Sequence, residues 1–76
     1  MSQLLIIKSG NRYYRFKDHH YHACALNKAS VFPLDKIDTV KELLHRLVDD
    51  GIRNPYIARL TITEEPYTEE ESSNYL

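Results

Sequence analysis

The sequence predicts a single small α+β domain with the element order β-β-β-α-β. Two kinds of pattern indicate this: short alternating apolar segments separated by turn residues, and one longer segment with helical spacing. We expect a mostly antiparallel four-stranded sheet in the order 4-1-2-3, with the amphipathic helix packed on one face. The domain is predicted to span residues 1–63, and residues 64–76 are predicted to form a flexible acidic tail.

The first three predicted strands lie within residues 3–26. Residues 3–8 form an apolar run, and Ser9-Gly10-Asn11 suits a tight hairpin turn. In residues 12–17, Tyr14 and Phe16 are expected on one face and the other four on the opposite face: Arg12, Tyr13, Arg15 and Lys17. In residues 20–26, alternate positions again separate into two sets: Tyr21, Ala23 and Ala25 against His20, His22, Cys24 and Leu26.

The helix is the strongest pattern in the chain. Pro33 disfavours helix before it, and Asp35 is a suitable N-cap. The apolar residues that follow recur with helical spacing: Ile37, Val40, Leu43, Leu44, Leu47 and Val48. Gly51 is expected to adopt the left-handed conformation that ends a helix, with Ile52 packing back on Leu47 as in a Schellman motif.

The fourth predicted strand covers residues 56–63. The right-handed crossover rule places it parallel to the first strand. The first strand is apolar on both faces and therefore belongs in the centre of the sheet. Because the helix covers only one face, we expect the opposite face to need a second chain, a ligand or the tail to cover it.

Composition and charge limit the possible functions. The 76 residues are 42% hydrophobic with a net charge of −1, which is typical of one globular domain. The longest apolar run is too short to span a membrane, and the single cysteine, Cys24, favours a cytoplasmic location. The charge is uneven, because residues 1–30 carry +4, residues 31–62 carry 0 and residues 63–76 carry −5.

We therefore predict a small non-enzymatic interaction module that binds another protein or forms a homodimer through its sheet face. Tyrosine and arginine dominate binding energy at interfaces, so the expected binding residues are Arg12, Tyr13, Arg15, Lys17, Tyr21 and Tyr56. Catalysis is not expected: the chain has only two glycines and no Gly-rich phosphate loop, and Cys24 has no evident orienting partner. No cofactor is predicted.

Two alternatives remain open. The basic aromatic hairpin at residues 8–17 could bind single-stranded nucleic acid, with cations on phosphates and rings on bases. The His-x-His spacing of His20 and His22 could supply two ligands to a metal ion, with a third from Asp18, His45 or another subunit.

Overall fold

The structure is a computed structural model that describes residues 2–67, and it confirms the predicted fold class. The described residues form five strands, one α-helix and two 3-10 turns: β1 Ser2–Ser9, β2 Arg12–Lys17, β3 His20–Cys24, a 3-10 turn Leu26–Lys28, β4 Phe32–Pro33, a 3-10 turn Leu34–Lys36, α1 Ile37–Asp49 and β5 Tyr56–Ile62. Residues 64–67 of the predicted tail are exposed and outside any helix or strand, and residues 68–76 lie outside the described residues.

β1 is the central strand, as its two apolar faces predicted. Along one edge it pairs with β5 over seven residue pairs, from Ser2 opposite Ile62 to Lys8 opposite Tyr56. Along the other edge its C-terminal end pairs with β2, and its N-terminal half pairs with β4. β3 pairs with β2. If the two-residue β4 is set aside, the order β3-β2-β1-β5 matches the predicted 4-1-2-3.

The predicted direction of the last strand is wrong, because β5 runs antiparallel to β1. β4 pairs with Leu4 and Leu5, so the chain enters α1 near the N-terminal end of β1. The helix has 13 residues and rises about 20 Å at 1.5 Å per residue, which is close to the length of β1. The chain therefore emerges at the C-terminal end of β1, and β5 starts there at Tyr56 opposite Lys8.

The short strand β4 was not predicted, and it separates β2 from β1. β2 pairs with β1 only at the hairpin end. Farther along, the Ser30 N–H donates to the Tyr14 carbonyl at 3.0 Å, and the Phe16 N–H donates to Ser30 Oγ at 2.8 Å. Residues 25–31, which we call the crossing segment, thus carry the chain from the far side of β2 to the gap between β2 and β1.

The helix packs on one side of the sheet, which we call the helix side. Its core consists of five buried residues: Leu5, Ile7, Tyr14, Val40 and Leu47. Partly buried apolar residues surround them: Phe16, Tyr21, Phe32, Ile37, Leu43, Leu44, Ile52 and Ile57. Val48, which the helical spacing placed in the apolar stripe, is instead 53% exposed. The stripe is therefore narrower at its C-terminal end than the spacing suggests.

The two ends of the helix differ in how well the sequence predicted them. Asp35 is not the N-cap: it lies in a 3-10 turn, and Lys36 takes the N-cap position without a side-chain hydrogen bond. The C-terminal prediction is confirmed. Gly51 has φ +89°, its N–H donates to the Val48 carbonyl at 3.0 Å, and the Ile52 N–H donates to the Leu47 carbonyl at 3.0 Å, which is the Schellman pattern.

Two further details of the strands differ from prediction. Arg12 shares a face with Tyr14, on the helix side, because its partner Ser9 alternates with the buried Ile7. β3 ends at Cys24, and Leu26 lies in the 3-10 turn that follows.

Among the described residues no helix is long and apolar enough to cross a membrane.

Candidate functional site

The side of the sheet opposite α1, which we call the outer side, is the candidate site. Paired residues of antiparallel strands point to the same face, so the register defines its members. They are Ser2, Leu4, Ile6 and Lys8 of β1, Tyr13, Arg15 and Lys17 of β2, His20, His22 and Cys24 of β3, Pro33 of β4, and Tyr56, Ala58, Leu60 and Ile62 of β5.

One row of this side crosses four strands and combines aromatic rings with a cation. Its members are Cys24, Tyr13, Lys8 and Tyr56. The Lys8 ammonium lies 4.6 Å from the centroid of the Tyr13 ring, a cation–π distance. Hydrogen bonding with the Tyr13 side chain raises the pKa of Lys8, while burial acts in the opposite direction. Lys8 is thus held as a cation between two tyrosines.

The sheet is positively charged. Its strands contain five lysines and arginines and no aspartate or glutamate. Three of these cations, Lys8, Arg15 and Lys17, lie on the outer side. In the described residues, every carboxylate side chain belongs to a turn, to the helix region or to residues 64–65. The outer side therefore suits a partner with negative groups.

The crossing segment covers part of the outer side. It must pass over β2 on one face, and Arg15, an outer-side residue, donates a hydrogen bond from its guanidinium to the Lys28 carbonyl at 3.3 Å. This contact places the crossing on the outer side. Ile6, at the centre of that side, is only 2% exposed although α1 packs on the opposite face.

The remaining part of the outer side leaves apolar groups exposed. Tyr56 and Ile62 of β5 are 46% and 45% exposed, and Leu4 and Leu60 beside them are half-buried. We call these four residues the open face. Leu26 and Val31 of the crossing segment, which passes over the outer side at β2, are each 45% exposed. Four of the seven large apolar residues that are exposed in the described chain thus lie on or beside the outer side.

The structure divides the six predicted binding residues between the two sides. Tyr13, Arg15, Lys17 and Tyr56 lie on the outer side. Arg12 and Tyr21 lie on the helix side, so no single surface contains all six.

Tyr21 has a structural role. Its hydroxyl donates to Asp50 Oδ2 at 2.7 Å, and its ring packs with Tyr14 and Phe16. The Arg46 guanidinium lies 5.2 Å from the ring centroid. The hydrogen bond to Asp50, followed by burial, raises the pKa of Tyr21. These contacts attach the C-terminal end of α1 to β3, so we leave Tyr21 out of the candidate site.

The two histidines of β3 lie on the outer side, as the spacing predicted. Their partners in the register are cations, because His20 faces Lys17 and His22 faces Arg15. Within residues 2–67 no group of three or more His, Cys, Asp or Glu side chains could hold a metal ion. Positive neighbours oppose the binding of a further cation, so the arrangement does not favour a metal site.

The binding-residue prediction missed Lys8, Leu60 and Ile62. The alternation of residues 56–62 already separates Tyr56, Leu60 and Ile62 from the residues that face the helix. The missing information was the register, because only pairing with β1 brings Tyr56 next to Lys8.

No protein-family model, curated protein or solved structure matches this chain.

Proposed function

We propose that the protein is a non-enzymatic interaction module that binds another protein chain through the open face, and that this chain is a second copy of itself. The observation that carries the proposal is the row of apolar groups along the outer side of β5, whose first and last residues, Tyr56 and Ile62, are nearly half exposed. A small domain that leaves such groups in water gains free energy when a partner covers them.

Two features support self-association in particular. Among the described residues β5 pairs with β1 alone, so it is an edge strand, and it carries three of the four residues of the open face. A two-fold interface centred on β5 would place apolar groups of one copy against those of the other, while Lys17 and the histidines of β3 stay at its margin. We propose the cytoplasm as its location, which Cys24 as a free thiol supports.

The test is the solution mass of the full chain over a range of concentrations, from about 10 to 500 µM. The wild-type protein is expected to shift from monomer to dimer. The double variant Tyr56→Thr, Ile62→Thr places threonine, which favours strands, at both positions and removes the two most exposed apolar groups of the open face. It is expected to stay monomeric at the same concentrations.

A matched control removes the same number of exposed apolar groups elsewhere. Leu34 and Val48 are 43% and 53% exposed and lie outside the outer side. The variant Leu34→Gln, Val48→Gln is expected to dimerise like the wild type. A wild-type chain that is monomeric throughout, or a control that loses association equally, contradicts the proposal.

A second candidate function is binding of single-stranded nucleic acid, and one observation favours it. The row of Tyr13, Lys8 and Tyr56 combines two rings with a cation on a strand surface that has no carboxylate. Bases stack on aromatic rings while lysine and arginine contact phosphates.

Titration of a labelled single-stranded oligonucleotide distinguishes this candidate. We expect the oligonucleotide to bind at low salt and the binding to weaken steeply as the salt concentration rises. Lys8→Gln should bind the oligonucleotide more weakly than the wild type. Absence of binding at low salt removes this candidate and leaves the protein-binding proposal untouched.

A further inference from the structure

We propose that the acidic C-terminal segment, residues 64–76, binds across the outer side of its own sheet, with Glu69, Glu70 and Glu71 beside Lys17, His20 and His22. This inference goes beyond the proposed function, because the contact lies within one chain. The segment passes Leu4, one of the four residues of the open face, so it competes with a second copy at that residue.

Charge complementarity is the first argument. The segment contains five glutamates and no lysine or arginine. On the outer side, Lys17 lies opposite His20 and Arg15 opposite His22, so basic groups are concentrated at one corner of the sheet. Within residues 2–67 the only ion pair is Arg46 with Asp50, at 3.9 Å; the neighbouring Asp18 and the other described carboxylates form none with Lys17. The corner therefore attracts a negative segment of the same molecule.

The point where the chain leaves the sheet is the second argument. β5 ends at Ile62 opposite Ser2, at the N-terminal end of β1. β2 runs away from the hairpin toward that same end, so Lys17 and His20 lie there too. The distance from β5 to β3 is three or four strand spacings, about 14–19 Å. The seven residues 63–69 span about 23 Å when extended, which is enough to bring Glu69 to Lys17.

The apolar residues of the segment are the third argument. Tyr67 is 65% exposed, and the sequence continues to Tyr75 and Leu76. The path from Ile62 to Lys17 passes Leu4 and Pro33 on the outer side. A tyrosine that follows this path can cover apolar surface while the glutamates contact cations. The chain's own segment has an effective concentration in the millimolar range, which favours it over the segment of another copy.

The experiment is zero-length carbodiimide cross-linking of the full chain, which joins lysine to glutamate only where they touch, with mass spectrometric mapping. Two exposed lysines serve as the internal reference: Lys36 at the N-cap of α1 and Lys41 within α1. We expect links from Glu69, Glu70 and Glu71 to Lys17 to exceed links to either reference at least threefold at low salt. The excess should fall toward parity near 1 M salt, where the Debye length is about 3 Å.

Two further experiments decide between the possible outcomes. A mixture of ¹⁴N and ¹⁵N protein is expected to yield links within one isotope only, and mixed-isotope links to Lys17 would overturn the contact within one chain. In amide spectra, Glu69→Gln, Glu70→Gln, Glu71→Gln is expected to shift Lys17, His20 and His22. The charge-matched control Asp35→Asn, Asp38→Asn, Asp49→Asn should leave these three signals in place.

Equal linkage of Lys17 and the reference lysines, or unchanged Lys17, His20 and His22 signals in the glutamate variant, would overturn the inference. Neither result bears on the Tyr56 and Ile62 test of dimerisation, so the two proposals can fail separately.

Discussion

The two sides of the sheet are built differently although the same strands supply both. On the helix side, Ile7, Val40 and Leu47 are completely buried. On the outer side, Ile6 reaches 2% exposure near the crossing segment, while Tyr56 and Ile62 remain nearly half exposed. The helix side is therefore the stability core, and the outer side has apolar surface left for a partner.

This difference follows from the amount of chain that each side receives. The helix side receives a 13-residue helix whose apolar residues lie along one stripe. Among the described residues, the outer side is covered only by the short crossing segment, which is held by Ser30 and by the hydrogen bond from Arg15. The described residues contain one α-helix, so one side of the five-stranded sheet has no helix over it.

The largest expected effect is at the centre of the helix side. Leu47 has no exposed surface, and Leu47→Ala should lower the free energy of unfolding by about 2–5 kcal/mol because it leaves a cavity. Denaturant unfolding measures the loss. The neighbouring Val48→Ala should change stability by less than about 0.5 kcal/mol. Similar losses in the two variants would mean that α1 packs on the sheet differently.

The helix C-cap comes next. Gly51 has φ +89°, and a Cβ there would meet no atom within 4 Å, so Gly51→Ala should cost only backbone strain. We expect a loss of about 1–2 kcal/mol in unfolding free energy. Gly51→Asn should lose less, because asparagine tolerates the left-handed region. If Gly51→Ala leaves the unfolding free energy unchanged, the Schellman motif is not what holds Ile52 in contact with the helix side.

A smaller effect is expected where the crossing segment is attached. Ser30→Ala removes the partner of the Phe16 N–H and should lower the unfolding free energy by about 1 kcal/mol. Asn27→Ala, an exposed change in the same segment, is the control and should be close to neutral. Amide hydrogen exchange at Phe16 that is faster in Ser30→Ala but not in Asn27→Ala would show that the loss of stability arises at this hydrogen bond. Equal exchange in both variants would contradict it.

The smallest effect concerns alkaline pH. The pKa of Tyr21 is raised in the folded protein, so its stabilising contribution is complete below the unfolded value of about 10 and is lost as pH rises through the folded value. Unfolding measured from about pH 8 to 12 should show a shallower alkaline loss for Tyr21→Phe than for the wild type. The pKa of Lys8 is also raised in the folded protein, and its contribution to the loss of stability at alkaline pH has the same sign in the wild type and in Tyr21→Phe.

The control for that titration is Tyr67→Phe, since Tyr67 is 65% exposed and outside the sheet. It should follow the wild-type curve. A Tyr67→Phe curve as shallow as that of Tyr21→Phe would show that the hydrogen bond to Asp50 is not the cause.

Much of the candidate site could be predicted from local patterns. Alternation in β2 and β3 places Tyr13, Arg15 and Lys17 on one face and His20 with His22 on one face, and pairing joins the two sets. The same alternation puts Tyr21 on the face opposite His20 and His22, but its structural role could not be predicted from local pattern. Its role depends on Asp50, which is 29 residues away in sequence.

The sequence by itself determined the elements whose causes lie within a few residues. The helical spacing and the Gly51 cap specify α1 and its end, and alternation specifies β2 and β5 almost to the residue. Only the tertiary structure decided the direction of β5, the insertion of β4 and the side on which the crossing segment lies. Each of these depends on pairings between distant residues, such as Leu5 with Phe32 and Lys8 with Tyr56, and local periodicity carries no information about such pairings.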